Sequence, residues 1–554
     1  MDNLGKKVIY QIYPKSFKDS DGNGIGDLKG IKEKASYLAD LGVDMVWMSP
    51  FFVSPQNDNG YDIADYYKVD PMFGSNEDLY DLIAELKNYN IDVMLDMVLN
   101  HTSTDHEWFQ KAMAGDKKYQ DYYYIVYGKD GDLPNNWESV FKGPAWHKFA
   151  DTDKYYLALF EKTQADLNWH NEDLREELFA IVNFWLDKGV KGFRFDVLNM
   201  IGKDPDYSTW SDWSHDRYQF TYYTDTPIVH DFIKELAKKT YGKYEDIITV
   251  GEMGNVDVDN ALKYTEDGDE LSMIFAFDHL DDGEMKGKWT ETRYNLDVTR
   301  RNLFMWQEKM QEGNGWLGLF WNNHDNPRST SRFGNTDSYL YESATMLAQA
   351  LHMLRGTPYI YQGEEFAMTN PKFNDLAEYD DVETINAYKE MMDYGVEEKT
   401  IMRMLNNKSR DNSRTPIQWD DSKPYAGFSD SKPWLKLADN YEKINAAKDR
   451  ESDKSVFDYY KKLIKLRKEN DLISDGKFVG LYEDHDYLLA YKRVLDDSQL
   501  ININNFSDKA FDINLKDLVD DISEYDILIS NYGLDKLDDI LSLRPYESVA
   551  IISK

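Results

Sequence analysis

The chain is 554 residues long, too many for one simple hydrophobic core, so two or three domains are expected. A formal charge of −37 excludes nucleic acid and anionic membrane surfaces as partners and suits a small neutral substrate. The absence of cysteine excludes disulfides, thiol nucleophiles and cysteine-based metal sites.

The opening stretch, MDNLGKKVIYQIYPKSF, has no long apolar segment and no small-residue cleavage site. No run in the chain approaches the ~20 apolar residues that a membrane helix needs. A cytoplasmic, monomeric enzyme is the expectation. Between positions 19 and 27, DSDGNGIGD offers oxygen ligands at alternate positions. Asp19, Asp21, Asn23, the Ile25 carbonyl and Asp27 form the first half of an EF-hand-like pattern, without the closing glutamate and with no flanking helix pair evident. The loop reads as a structural calcium site.

Short apolar runs then alternate with amphipathic stretches. KKVIYQIY (6–13), VDMVWMSP (43–50), IDVMLDMVLNH (91–101), GFRFDV (192–197), IITVGE (247–252), MIFAFDH (273–279), LGLFWNNHD (317–325) and TPYIYQG (357–363) read as eight buried parallel strands. LYDLIAELKNY (79–89) and LREELFAIVNFWLDKG (174–189) carry helical periodicity between them. Eight strands separated by helices predict a (β/α)8 TIM barrel, formed by residues 1–101 and 173–470. Residues 102–172 interrupt it with YYYIVYG, NNWESVF and KYYLALF, a small inserted β-domain roofing one side of the cleft. A long polar segment, about 365–455, follows the eighth strand and is expected to cover the active-site face. From 471 to 554 the chain alternates in short strands without long helices, a C-terminal antiparallel β-domain.

Three of the barrel runs end in a carboxylate: Asp196, Glu252 and Asp325. Barrel active sites form at the C-terminal strand ends, and paired carboxylates in one cleft are the machinery of glycosidic bond cleavage. Aromatics are abundant at 14%, and although most belong to the core, some can stack on sugar rings.

DMVLNH with Asp96, Asn100 and His101, GFRFDV with Arg194 and Asp196, VGE with Glu252, NNHD with His324 and Asp325, and QADLN (164–168) together resemble the α-amylase family of glycoside hydrolases. SPQNDNGYDIADY (54–66), KSRDNSRTPIQW (408–419) and GTPYIYQGEE (356–365) are similar to signatures of its oligo-1,6-glucosidase and dextran glucosidase group. The resemblance implies a retaining mechanism, with Asp196 as nucleophile, Glu252 as general acid and base, and Asp325 as stabiliser of the transition state. It implies that Arg194 lowers the pKa of Asp196, and that His101 and His324 donate hydrogen bonds to sugar hydroxyls. Asp58 and Arg410 would pair across a blind pocket, giving exo-action. Tyr61 and Phe160 would wall the sugar, Gln164 would approach the nucleophile, and Val197 resembles the pattern of α-1,6 specificity.

Ala165 departs from the glucosidase group, where proline is usual, and matches trehalose-6-phosphate hydrolases. The YYTDTP stretch (222–227) favours the same alternative. Against it, FDHLDDGEMKGKW (277–289) is acidic where a phosphate site wants lysine or arginine, and WNNHD resembles the glucosidases. A sucrose isomerase would use the same glycosyl-enzyme; Val197 and the lack of an evident Arg-rich loop argue against it. A catalytically inactive binding relative is disfavoured because all three acids are present. The implied activity is hydrolysis of α-1,6-glucosidic bonds in neutral oligosaccharides, without an organic cofactor.

Overall fold

The eight apolar runs form eight strands. In the computed structural model, which describes residues 3–204, 222–284, 287–422 and 424–554, they are β1 (Ile9–Ile12), β2 (Met45–Met48), β3 (Asp92–Met97), β4 (Gly192–Phe195), β5 (Ile248–Glu252), β6 (Met273–Phe275), β7 (Gly318–Leu319) and β8 (Thr357–Tyr361). Neighbours pair in parallel, in the order β6-β5-β4-β3-β2-β1-β8-β7. A parallel bridge between Ile274 and Leu317 joins β6 to β7 and closes the ring, with the Ile274 N–H donating to the Trp316 carbonyl at 3.2 Å. The fold is a (β/α)8 barrel. The runs are continuously apolar because helices cover one strand face and barrel side chains the other.

Strand alternation places the polar exceptions. Arg194 and Asp196 share one face of the chain at β4, while Phe193 and Phe195 share the other, their rings 5.9 Å apart. Arg194 lies in register with Asp96 on β3, so both side chains turn inward together. Around the ring, helices dock by their apolar stripe. The helix Glu172–Asp187 starts at Asn171, whose side chain accepts from the Leu174 N–H, and buries Leu174, Leu178, Ile181, Val182 and Trp185. Each such side chain stabilises the packing by about 1.5–3 kcal/mol.

Between β3 and that helix, His101–Ser103 pairs antiparallel with Gln164–Asp166. A three-stranded sheet orders Ile125–Tyr127, Lys154–Leu157 and Trp146–Lys148. The expected strand in NNWESVF is absent. Asn135 there accepts hydrogen bonds from the Trp137 backbone and the Trp146 indole, which turns the chain, and Trp146–Lys148 supplies the third strand. Two short helices, Glu107–Met113 and Lys117–Gln120, also lie in this insertion. Its small core of Tyr124, Trp137, Trp146 and Leu157 packs on Val197 and Met200 just after β4, so the insertion rests on the strand end that carries Asp196.

After β8, helices Val382–Asp393 and Glu398–Lys408 form a separate apolar cluster with Phe373, Tyr379, Ile401, Leu405 and Leu435. The C-terminal part builds a five-stranded antiparallel sheet and a two-stranded one around Leu488, Ile501, Leu515 and Leu541. Strand Ile540–Leu543, which pairs with Phe511–Asn514, was not foreseen; only alternate residues of its ILSL run are buried. No helix among the described residues is long and apolar enough to cross a membrane.

Candidate active site

Asp196 directly follows β4, Glu252 closes β5, and Asp325 lies in the loop beyond β7. Arg194 draws the first two together. Its Nη1 donates to Asp196 Oδ1 at 2.6 Å and to Asp96 Oδ1 at 2.7 Å, and its Nη2 lies 2.7 Å from Glu252 Oε2. Two nitrogens of one planar group thus hold carboxyls from adjacent strands in one cavity. Val197 adopts φ 36° and ψ 44°, a left-handed conformation that costs a β-branched residue on the order of 1–3 kcal/mol. Its N–H donates to Glu252 Oε2 at 3.3 Å, so the strained turn ties the two strand ends together.

Burial sets the protonation of the acids. It pushes Asp196 above the ordinary aspartate range, and Arg194 offsets this only in part. Arg194 does lower this pKa, as the resemblance implies, but one cation shared among three buried carboxyls does not outweigh their desolvation. Burial also raises Glu252 to about 7, with Arg194 opposing and Asp196 and Asp325 reinforcing. Asp325 behaves oppositely. Burial works against its charge, yet His324, Arg410 and Arg414 hold it well below the usual value. His324 itself is pushed toward the neutral form by burial, so the lasting positive charge beside Asp325 is that of the arginines.

These acids open into a cavity of about 200 Å³. A cavity of about 150 Å³ accommodates benzene, so this one is the size of a single six-membered ring. Asp58, Tyr61, His101, Phe160, Gln164, Val197 and Arg410, all singled out from the sequence, line it with the three acids. One end is closed by an ion pair: Arg410 Nη2 donates to Asp58 Oδ1 at 2.9 Å and to Asp381 Oδ1 at 2.5 Å. Phe160 stands edge-on to Phe141, which lies against the Arg410 guanidinium at 4.6 Å.

Other expected residues are held by protein contacts. Both ring nitrogens of His101, which lines the cavity, are engaged, Nε2 with the Tyr61 carbonyl at 3.2 Å and Nδ1 with the Asn100 amide at 3.2 Å. His324 is fully buried behind Tyr61, whose ring stacks on it at 5.2 Å. Its Nδ1 faces the Gln11 amide nitrogen at 2.8 Å, which places the imidazole proton on Nε2, 3.0 Å from Asp325 Oδ2. His324 and the buried Arg194 thus hold acids and do not line the cavity. Gln164 donates to Asp58 Oδ2 at 3.1 Å, at the closed end of the cavity that Asp196 also lines.

Sequence reasoning missed Val140, Phe141, Lys288, Asp381 and Glu383. Phe141 lies in the quoted NNWESVF run, but no local pattern marked it. Asp381 and Glu383 belong to the polar segment expected to cover this face, where one acid looks like another.

The family model for the α-amylase catalytic domain matches residues 11–476, and that for the C-terminal domain of an α-amylase, SusG, matches residues 488–550. The chain belongs to the α-amylase family of glycoside hydrolases. It is 46% identical to an oligo-1,6-glucosidase of Parageobacillus thermoglucosidasius, with 98% of this chain and 97% of that one covered. It is 43% identical to a trehalose-6-phosphate hydrolase of Bacillus subtilis (strain 168), over 98% and 97%. The crystal structure of a trehalose-6-phosphate hydrolase from Bacillus licheniformis superimposes with a TM-score of 0.93 at 44% identity, covering 100% of both chains.

Outside the ring-sized cavity of this α-amylase family member, a cleft of about 570 Å³ shares Val140, Lys288 and Asp325 with it. At their junction Lys288 Nζ meets Glu383 Oε2 at 2.6 Å. Asp278, Asp281, Asp282 and Glu284 line the outer cleft, and Lys408 there is paired with Asp282 at 2.5 Å. Met285 and Lys286, part of the acidic 277–289 segment, lie outside the described residues. A larger hollow of about 780 Å³ opens near Ile247 and Ser272, at the opposite ends of β5 and β6, and contains none of the three acids.

In the loop after β1, Asp19, Asp21 and Asp27 bring carboxylate oxygens within 4.8 Å of one another. Three carboxylates at that spacing form a donor set suited to a hard divalent cation. Asp19 accepts from the backbone N–H groups of Asp21, Gly22 and Gly24 and from the Ser429 hydroxyl. A short helix, Leu28–Glu33, does follow the loop, and Asp27 is its N-cap, accepting from the Gly30 N–H. Asn23 Oδ1 accepts from the Ile25 N–H at 2.8 Å.

Proposed function

We propose that the chain is a retaining, exo-acting α-glucosidase that removes glucose from the non-reducing end of isomalto-oligosaccharides by hydrolysing α-1,6 bonds. The observation that carries this reading is the closed cavity, one ring in size, ended by Asp58 and Arg410, with Asp196 and Glu252 on its wall. A sugar seated against that ion pair presents its C1 to the two acids. Asp196 attacks C1 while the proton on Glu252 passes to the departing oxygen, leaving a covalent glycosyl-enzyme. Glu252, now ionised, takes a proton from water; the oxygen of that water bonds to C1 and the Asp196 ester breaks. Retention by this route places the carboxyls about 5–5.5 Å apart. Asp325, held ionised, stabilises the positive charge that develops at the ring. Lys288 and Glu383 at the mouth, a donor beside an acceptor, suit neighbouring hydroxyls of the next sugar.

The second reading is hydrolysis of trehalose 6-phosphate, supported by relatives of that name. A dianionic phosphate calls for unmatched arginine or lysine. Among the described residues, Lys288 and Lys408 near the mouth are both matched by carboxylates, Arg332 in the outer cleft donates to the Leu280 carbonyl and is not paired with a carboxylate, and acids outnumber the cations there. Initial rates on isomaltose, maltose and trehalose 6-phosphate, measured side by side, decide between the readings. Isomaltose is expected to be the best of the three, and a preference for the phosphorylated sugar overturns the proposal.

The reading includes calcium, held by Asp19, Asp21 and Asp27 with Asn23 and the Ile25 carbonyl, as a structural ion that supplies no chemistry to the reaction. It also includes a cytoplasmic monomer acting without nucleic acid or membrane, for which gel filtration at the single-chain mass is the check.

A further inference from the structure

Arg414 belongs to the same RDNSR run as Arg410 but does something different. Arg410 lines the cavity and divides its donors among Asp58 and Asp381, leaving Asp325 at 3.5 Å. Arg414 is fully buried and does not reach the cavity. Its Nη2 donates to Asp325 Oδ1 at 2.7 Å, and its Nε donates to the His324 carbonyl at 2.8 Å. The guanidinium therefore grips both the carboxylate and the backbone one residue before it. Arg414 is itself held from behind. The Ser16 hydroxyl donates to the Arg414 carbonyl at 2.5 Å, and the Trp434 indole N–H donates to that same hydroxyl at 2.9 Å. Trp434 is anchored by its own N–H to the Gly24 carbonyl at 3.0 Å.

We propose that Arg414 is the positioning residue of Asp325, aiming the carboxylate into the cavity without touching the sugar, and that Ser16 and Trp434 hold Arg414 in place. The inference rests on the reading of Asp325 as part of the catalytic site. Geometry singles out Arg414 because its Nη2 stands 2.7 Å from Asp325 Oδ1, whereas Arg410 is committed to Asp58 and Asp381 and stands 3.5 Å away; His324 holds the other oxygen, Oδ2, at 3.0 Å. The charged and titratable groups that face Asp325 include His324, Arg410, Arg414, Glu252, Tyr61 and Tyr361. Removing Arg414 takes away the nearest permanent cation, so the carboxylate both swings and becomes easier to protonate.

The test uses the full chain and four variants, Asp325→Asn, Arg414→Met, Arg414→Lys and Trp434→Phe, each checked by thermal melting. Arg414→Met is expected to lower kcat by about 100-fold, the effect of an ångström-scale misplacement, with a much smaller change in KM. The acid limb of its kcat–pH profile, set by Asp196 in the wild type, gains a second, steeper step at lower pH as Asp325 also titrates, whereas inhibition by glucose, still gripped by Asp58 and Arg410, changes little. Arg414→Lys restores the pH limb better than it restores kcat, since it replaces the charge and not the two-pronged grip. Trp434→Phe keeps the ring, loses the N–H, and lowers kcat several-fold without a new pH limb.

An unchanged pH profile in Arg414→Met, or equal losses in kcat and KM in all three Arg414 and Trp434 variants, overturns the inference and leaves Arg414 a packing residue. Where the Arg414 variants do not fold, Trp434→Phe with wild-type kcat overturns it by itself. If Asp325→Asn retains activity, it is the reading of the catalytic site that fails, independently of Arg414.

Discussion

Arg194 carries one positive charge among three carboxyls, and the protonation of the site follows from that shortage. Asp96, Asp196 and Glu252 are too deeply buried to ionise freely, and Glu252 at about 7 is poised to give up a proton near neutrality. The rate on isomaltose should therefore fall on the alkaline side as pH rises through about 7 and Glu252 loses its proton. It should fall on the acid side as Asp196 gains one, at a pH above that of an ordinary aspartate. A kcat/KM profile checks both limbs. Glu252→Gln should lose the alkaline limb on a nitrophenyl glucoside, whose leaving group needs no proton. Asp196→Ala should leave less than about a thousandth of wild-type turnover, with folding unchanged by circular dichroism. Replacing Arg194 by Met strips the shared cation from three buried acids and should destabilise the barrel by about 3–5 kcal/mol, read by urea unfolding.

Three elements from distant parts of the chain converge on the cavity mouth. The loop before Trp146–Lys148 supplies Val140 and Phe141, the loop after β6 supplies Lys288, and the helix Val382–Asp393 supplies Glu383. The first and third are clasped: the Asn386 amide donates to the Phe141 carbonyl at 3.1 Å, and Lys142 lies 3.5 Å from Glu390. Phe141→Ala removes one wall and uncovers Arg410. It should raise KM for isomaltose about tenfold, with a smaller effect on kcat, because sugar contact is lost while the acids stay in place. The Asp19–Asp27 loop acts on a neighbouring element. Ser429 donates to Asp19, and the Asp19 N–H donates to the Phe428 carbonyl, so the loop pins the segment that carries Trp434. Calcium should raise the melting temperature of the wild type, and chelation should lower it. Asp19→Ala should melt lower and no longer respond to either, as read by differential scanning calorimetry.

Across the whole molecule, strongly buried acids couple stability to pH in two directions. Burial pushes Glu364 to about 8 and Glu365 to about 7, although Tyr460 donates to the first and Tyr10 and Tyr37 to the second. A folded-state pKa raised above the unfolded value means stability that is complete below about 4.4 and lost as pH rises through 7 to 8. Asp325 and Asp381 are depressed, so their contribution is present at neutral pH and lost as pH falls below the ordinary aspartate range. The stability maximum should accordingly lie on the acidic side of neutrality. Glu364→Gln, which cannot ionise, should gain melting temperature over the wild type progressively from about pH 4.5 to about pH 8, and level off above that.

Much of this organisation is written locally. The eight strand runs, the positions of Asp196, Glu252 and Asp325 at or beyond strand ends, and the polar Arg194 within GFRF are legible because burial on both faces leaves an unbroken apolar run. Any polar residue inside such a run stands out. The helix Glu172–Asp187 is legible for a similar reason, its apolar stripe recurring within a few residues. Contacts made by closure are not. Arg410 meets Asp58 across 352 positions, Gln11 sets the His324 proton across 313, and Glu383 finds Lys288 across 95. The pKa order of Asp196 and Glu252, the inward retreat of His324, and the grip of Arg414 on Asp325 arise only when the barrel ring shuts. Desolvation and ion pairing depend on which side chains become neighbours in space, and no local pattern encodes that adjacency.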